Sequence, residues 1–280
     1  MKKFSIIILL SIVCSGFLVA QNTINDSLAI ISIKWEQEKI RKGVVWKSAQ
    51  TTLYNSPQSI NIIEIKPKRK NRLGIGYCVD TLITTSSLCN QINAIAGVNA
   101  SFFDMQNGGS VDYMRVNGNV IHEGRINFDN SNAAIVINNN KLAIIKQNND
   151  SLWAHKLDGN DVLVAGPMLV SNGKIENFPE TSFYLTRHPR TCAAICQNGT
   201  ILLVTVDGRH DAKAEGMSTN ELAYFLKILN AKQAMNFDGG GSTTMFIKNK
   251  GHNGVINFPS DNQRFDNEGE RKVANVVYLK

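Results

Sequence analysis

The chain has 280 residues, 43% of them apolar and 19% charged, with 21 glycines and 6 prolines. That profile excludes disordered, collagen-like and coiled-coil proteins and allows a substantial core. Lys and Arg exceed Asp and Glu by 7. With no basic tail or run beyond Lys66–Arg72, this small surplus suits an anionic small ligand or envelope polymer and gives no support to nucleic acid.

Residues 1–20 read as an export signal. Lys2-Lys3 precede an almost wholly apolar stretch, Phe4 to Val13, and Leu18-Val19-Ala20 offers a small-residue cleavage site. The stretch is too short for a stable transmembrane helix, and no later segment is long and apolar enough to be one. The expectation is an exported protein, periplasmic or extracellular, without a transmembrane segment. Val13 before Cys14 is a poor context for lipid attachment. Residues 21–42, polar and irregular apart from Leu28–Ile33, are expected to form an N-terminal extension to one domain spanning 43–280.

From there short β-branched or alternating runs follow one another: Val44–Ser48, Ile60–Ile65, Leu73–Val79, Ala94–Asn99, Ala133–Ile137, Lys141–Ile145, Val162–Val170, Thr191–Cys196 and Ile201–Val206. Asn117-Gly118-Asn119, Asn138-Asn139-Asn140, Ser171-Asn172-Gly173 and Gln197-Asn198-Gly199 stand where hairpins need residues of positive φ. Four cysteines follow Cys14. Cys192 and Cys196 fall in one strand with Cα atoms roughly 13 Å apart, too far to bridge, whereas Cys78 and Cys89 form a local pair that an oxidising compartment allows.

Two helices stand out. Ser86–Ile92 follows Thr84 and Thr85 as cap candidates. The better defined one starts at Ser218-Thr219-Asn220-Glu221, a capping box, and carries Leu222, Phe225, Leu226 and Leu229 on one face until Asn230 stops it. A strand, Ala234–Phe237, comes next. The spacing from Ile201 to Asp238 predicts strand, helix, strand as a parallel βαβ crossover, with Asp207 and Asp238 both at the C-terminal edge where α/β folds bind ligands. The fold class expected is strand-rich α/β, a mixed central sheet with few helices.

Asp238-Gly239-Gly240-Gly241-Ser242 is the strongest local signal: an acid, then glycines whose consecutive amides can cradle an anion, then a hydroxyl. Asp207-Gly208-Arg209 repeats the layout with a cation. Arg187-His188-Pro189-Arg190-Thr191 sets two guanidinium groups before a strand, the geometry that suits phosphate. Asn99-Ala100-Ser101-Phe102-Phe103 ends another strand with an amide for sugar hydroxyls and two rings, at least one of which belongs in the core. The histidines have no metal-ligand spacing, no Lys follows the glycines as in a P-loop, and no strand leads into G-x-G-x-x-G, so neither metal nor nucleotide cofactor is expected.

Taken in order, Asn99–Phe103, Gly166-Pro167-Met168-Leu169-Val170, Pro189-Arg190-Thr191, Val206-Asp207-Gly208-Arg209, Gly216-Met217 with Glu221-Leu222-Ala223, Asp238–Met245, and Asn257 with Arg271 resemble the phosphodiester glycosidase family over roughly residues 43–280. The resemblance implies hydrolysis of a sugar-1-phosphodiester at the anomeric carbon–oxygen bond, on a phosphorylated envelope or exopolysaccharide glycan. Chemistry then assigns Asp207 and Asp238 as nucleophile or base. Arg190, Arg209 and the amides of Gly239, Gly240, Gly241 and Ser242 are expected on the phosphate, Asn99 and Phe102 on the sugar, and Thr191 and Arg271 elsewhere on the substrate. The alternative from another class is a non-catalytic module binding phosphorylated glycans, against which two retained acids argue. A phosphodiesterase breaking phosphorus–oxygen bonds calls for clustered metal ligands that the sequence lacks.

Overall fold

The computed structural model describes residues 24–124 and 130–280. The expected export signal, Cys14 included, lies outside the described residues.

Period-two alternation between Asn- and Gly-rich turns folds the chain into hairpins. The largest sheet has eight strands, in spatial order β1 (Glu36–Arg41), β2 (Val44–Leu53), β3 (Ser56–Ile65), β15 (Ile201–Val206), β14 (Arg190–Cys196), β16 (Ala231–Asn236), β12 (Met168–Ser171) and β13 (Lys174–Ile175). A five-stranded sheet runs β10 (Lys141–Lys146), β9 (Ala133–Asn138), β11 (Asp161–Ala165), β7 (Met114–Val116), β8 (Asn119–His122). A four-stranded sheet runs β17 (Met245–Ile247), β6 (Ala96–Asn99), β19 (Asn275–Leu279), β4 (Leu73–Tyr77), and β5 (Ile83–Thr84) pairs with β18 (Lys272–Val273). The hairpin turns form at the expected places, with Asn139 and Asn140 at φ +49° and +62° between β9 and β10.

Four helices complete the described chain: α1 (residues 24–31), α2 (Thr85–Gln91), α3 (Ser182–Leu185) and α4 (Thr219–Ile228). Alternation splits the large sheet's faces. Cys192, Ala194, Leu202 and Val204 pack with Leu222, Phe225 and Leu226 of α4 and Ile30 of α1, while Ala193, Leu203, Ile63 and Met235 meet Val98, Val277, Ile135 and Leu163 of the smaller sheets. Burying each such Leu, Ile or Phe contributes about 1.5–3 kcal/mol, enough to fix the layers. The α4 cap is the expected box: Glu221 N donates to Ser218 Oγ at 3.2 Å and Ser218 N to Glu221 Oε2 at 2.8 Å. Within 21–42, α1 is docked through Ile30 and β1 pairs with β2.

Four expectations are corrected. Every strand pair among the described residues is antiparallel, so the large sheet is not mixed. The parallel crossover at 201–238 is not formed as a paired unit. The Gln197–Gly199 hairpin lays β14 against β15 first, and β16 returns from α4 onto the far side of β14. Since β15 and β16 both oppose β14, their C-terminal ends still share an edge. The run 162–170 is two strands in two sheets. Pro167 has no N–H for a ladder, and a Cβ on Gly166 would lie 2.3 Å from the Asn130 carbonyl oxygen. Finally, Cys78 and Cys89 are free thiols, as are Cys192 and Cys196. Cys89 Sγ packs instead toward Gly97 of β6, where an added Cβ would sit 2.7 Å from it.

Candidate active site

The C-terminal ends of β15, β16 and β6 and the start of β14 converge on one edge, and the polar residues there divide into two groups. In the first, each side chain is bonded into the fold. Asp207 is buried, with Oδ2 accepting from Ser59 Oγ at 2.7 Å and Oδ1 from Asn257 Nδ2 at 2.9 Å and Phe258 N at 3.0 Å. Burial pushes its pKa up, and those three hydrogen bonds pull against the rise. Asn99, also buried, accepts from Thr191 Oγ1 at 2.7 Å and Thr244 N at 3.0 Å, and donates Nδ2 to the Asp238 carbonyl at 2.7 Å. Arg190 gives Nε to the Met217 carbonyl at 2.8 Å and Nη2 to those of Thr186 and Phe183 at 3.0 and 3.3 Å. Desolvation lowers its pKa to about 10. Asp207, Asn99, Thr191 and Arg190 thus fasten strand ends together.

The second group is open. Asp238 follows β16, partly exposed, its backbone N–H bonded to the Ala100 carbonyl at 2.8 Å. Desolvation pushes its carboxyl up to about 6, only partly offset by the Ser242 side chain, Arg271, the Gly239 amide and Arg209. A carboxyl so poised changes protonation near neutral pH, as nucleophiles and proton-transfer groups do. Residues Gly240–Ser242 form a 3₁₀ turn. Gly240 has φ +60°, and a Cβ there would lie 2.7 Å from Arg209 Nη2; on Gly241 it would lie 2.6 Å from Arg271 Nη2. The glycines let two guanidinium groups lie directly on the turn.

The expected amide nest is smaller than the sequence implies. Gly240 N donates to the Pro189 carbonyl at 2.9 Å and Ser242 N to that of Gly239 at 3.2 Å, because the turn closes on itself. Gly241 N keeps its donor clear of these bonds. The left-handed residue after β15 is Arg209, φ +63°, rather than Gly208. Gly208 is required by close packing instead: a Cβ there would lie 2.8 Å from Pro189 N. A non-glycine residue at positive φ beside the turn is the sort of local cost that functional sites retain.

Phe103 packs against the small core around Leu88 and Phe246, as one of the two rings was expected to, and Phe102 is half-buried. Arg187 is taken up by Glu221 and Glu215, Nη2 reaching Glu221 Oε1 at 2.6 Å and Nη1 reaching Glu215 Oε2 at 2.7 Å. Sequence reading missed Asp261, which accepts from Arg271 Nε at 2.9 Å and Nη2 at 2.5 Å. It also missed Phe258 and Phe265, stacked with centroids 4.1 Å apart, and His210 at 5.1 Å from Phe265. Phe258, Asp261 and Phe265 lie in the loop between β17 and β18, without periodicity, where no local pattern marks them.

Fold and site together define a strand-rich, antiparallel protein holding the Asp238 carboxyl beside Arg209 and an Arg271–Asp261 pair at a sheet edge. The family model for phosphodiester glycosidases matches residues 92–280, more than half of the chain, and the protein belongs to that family. Comparison with curated proteins gives no match. Among solved structures, the chain is similar to the catalytic domain of zebrafish N-acetylglucosamine-1-phosphodiester alpha-N-acetylglucosaminidase auto-inhibited by its pro-peptide, at TM-score 0.66 and 18% identity over 89% of this chain and 82% of that one. It is similar to a hypothetical protein from Synechocystis at TM-score 0.62 and 15% identity, covering 89% of this chain and 64% of that one. A putative exported protein from Burkholderia pseudomallei K96243 matches at TM-score 0.58 and 17% identity, over 81% and 75% of the two chains. No helix among the described residues is long and apolar enough to cross a membrane.

Proposed function

We propose that the protein hydrolyses the glycosidic bond of a sugar-1-phosphodiester, an N-acetylglucosamine-1-phosphodiester being the model substrate, and releases the free sugar and a phosphomonoester. The observation that carries this reading is Asp238, its carboxyl raised to about 6 beside Arg209 and Arg271 on the glycine turn. The Arg209 guanidinium and the Gly241 amide hold the phosphate and stabilise it as the anomeric carbon–oxygen bond breaks, with Arg271, paired to Asp261, adding positive charge beside it. A phosphate held this way leaves without full protonation, so the step needs little help from a general acid. Ionised Asp238 meets the positive charge developing at the anomeric carbon, as nucleophile or as base toward water. Asp207 acts one step back: its hydrogen bonds to Asn257 and Phe258 position the loop that carries Asp261 and Arg271.

Membership of the family and the likeness to the zebrafish catalytic domain support the reaction class. The leader-like residues 1–20 support export, with an envelope or exopolysaccharide glycan as the setting. Turnover in oxygen-18 water tests the bond cleaved. Label in the released sugar is expected; label in the phosphate overturns the glycosidase reading, and binding without turnover leaves a glycan-binding module.

A further inference from the structure

Arg271 owes its place to the residues around it. Its side chain lies on the glycine turn, where a Cβ on Gly241 would sit 2.6 Å from Nη2, and its far end is held by Asp261. Its backbone leads directly into β18, which pairs with β5 through two residues only, Lys272 with Thr84 and Val273 with Ile83. The loop before it closes on itself, Asp261 N donating to the Gly269 carbonyl at 3.2 Å. So short a ladder fixes the chain lightly, and a second anchor stands one residue before Arg271.

That anchor is Glu270. Ser86 N donates to its Oε1 at 2.9 Å and Ser86 Oγ to its Oε2 at 2.5 Å, so one residue of α2 engages both carboxylate oxygens. Hydrogen bonds to an ionised carboxylate are about twice as strong as neutral ones. Ser86 is buried, and α2 is itself set in the core by Leu88 and Cys89, which pack with Phe246, Val273 and Val276. Burial pushes the Glu270 carboxyl up, and the Ser86 bonds and His252 pull against the rise. A continuous path thus runs from α2 through Glu270 to the backbone of Arg271 and on to the glycine turn.

With both oxygens turned to α2, Glu270 faces away from the site; His252 and Glu268 are the other charged or titratable groups lining the polar hollow beside it. Its neighbour's charge does reach the site. Arg271 lowers the pKa of Asp238, together with the Ser242 side chain, the Gly239 amide and Arg209. A displacement of about 1 Å in such a group is enough to cost a reaction about 10²-fold.

We infer that Glu270 is a positioning residue, holding Arg271 at the glycine turn by tying its backbone to α2. The inference rests on the phosphodiester reading above for the reaction that Arg271 serves, but its main test needs no turnover. The Asp238 side-chain carboxyl is titrated by carbon-13 NMR in the wild type, Glu270→Ala, Glu270→Gln, Ser86→Ala and Arg271→Ala. Two effects have opposite signs: removing the negative charge of Glu270 can only lower the Asp238 midpoint, whereas losing Arg271 raises it. Glu270→Ala is expected to raise the midpoint by about 0.5 pH or more, in the direction of Arg271→Ala. Glu270→Gln keeps the length and an acceptor for the Ser86 amide, and is expected to bring the midpoint back to the wild-type value or below. Ser86→Ala keeps every charge and is expected to raise it by less, which decides the case should Glu270→Ala fail to fold. No rise in the folded Ala variants, or a rise in Glu270→Gln as large as in Glu270→Ala, overturns the inference. On methyl N-acetylglucosamine-1-phosphodiester, kcat/KM is expected to fall about tenfold in Glu270→Ala and to recover in Glu270→Gln. If the wild type does not turn this substrate over, the phosphodiester reading fails, and the titration still decides the role of Glu270.

Discussion

Asp207 and Asp238 end two strands that run in the same direction on either side of β14, and the fold uses them in opposite ways. Asp207 is buried with both oxygens occupied by Ser59, Asn257 and Phe258. Asp238 stays partly exposed among Arg209, Arg271 and the glycine turn, and keeps a raised pKa. The same split separates Arg190, spent on three backbone carbonyls, from Arg209, whose guanidinium lies on Gly240. A polar side chain whose bonding capacity is filled by the fold stabilises the scaffold; one left with capacity to spare is available to a ligand.

The largest test of that contrast is Asp238→Asn, which keeps the shape and removes the charge. It is expected to lower kcat on methyl N-acetylglucosamine-1-phosphodiester by about 10²–10⁴-fold with little change in KM. Wild-type kcat in this variant would return Asp238 to the role of a turn residue. Asp207→Asn comes next and is expected to act on stability: hydrogen bonds to a charged group contribute about 1.5–3 kcal/mol each, and the amide faces donors with a donor, so urea unfolding should show a loss of about 3 kcal/mol. Unchanged stability would break the scaffold assignment.

The two arginines sharpen the comparison. Arg209→Lys keeps the charge and loses the bidentate fork, so kcat/KM should drop about tenfold while Tm stays put. Arg190→Lys should do the reverse, lowering Tm as the Met217, Thr186 and Phe183 carbonyls lose donors. Equal kinetic losses in both would mean that Arg190 reaches the phosphate after all.

The smallest effect is in pH. Because the folded-state pKa of Asp238 is raised to about 6, its ionised form costs stability that the protonated form does not. Stability from this group is present at pH below about 4 and lost as pH rises through 6. Asp238→Asn should therefore be more stable than wild type at pH 8 by about 1 kcal/mol after allowance for solvent screening, with the difference fading toward pH 4. In the wild type kcat/KM should climb through pH 6 if the ionised carboxylate acts; a fall there would make Asp238 a general acid.

Local pattern determined much of this protein. The capping box and the i, i+3, i+4 face placed α4 to within a residue, Asn139, Asn140 and Asn172 closed hairpins because short Asx side chains tolerate positive φ, and Asp207 and Asp238 were brought to one edge. The family was likewise legible, in motifs kept in order along the chain. Which strands became neighbours was not, because pairing depends on where each hairpin docks: β14 took the place beside β15 that a simple crossover gives to β16. Nor did residue type reveal which acid or arginine was spare. Asp207 and Arg190 look as well suited to a ligand as Asp238 and Arg209, and the difference lies in partners drawn from distant positions, Ser59 and Asn257 for the one acid, Phe183 and Met217 for the one guanidinium. Such partners are set by three-dimensional packing, where a buried polar group must be satisfied and one near solvent need not be.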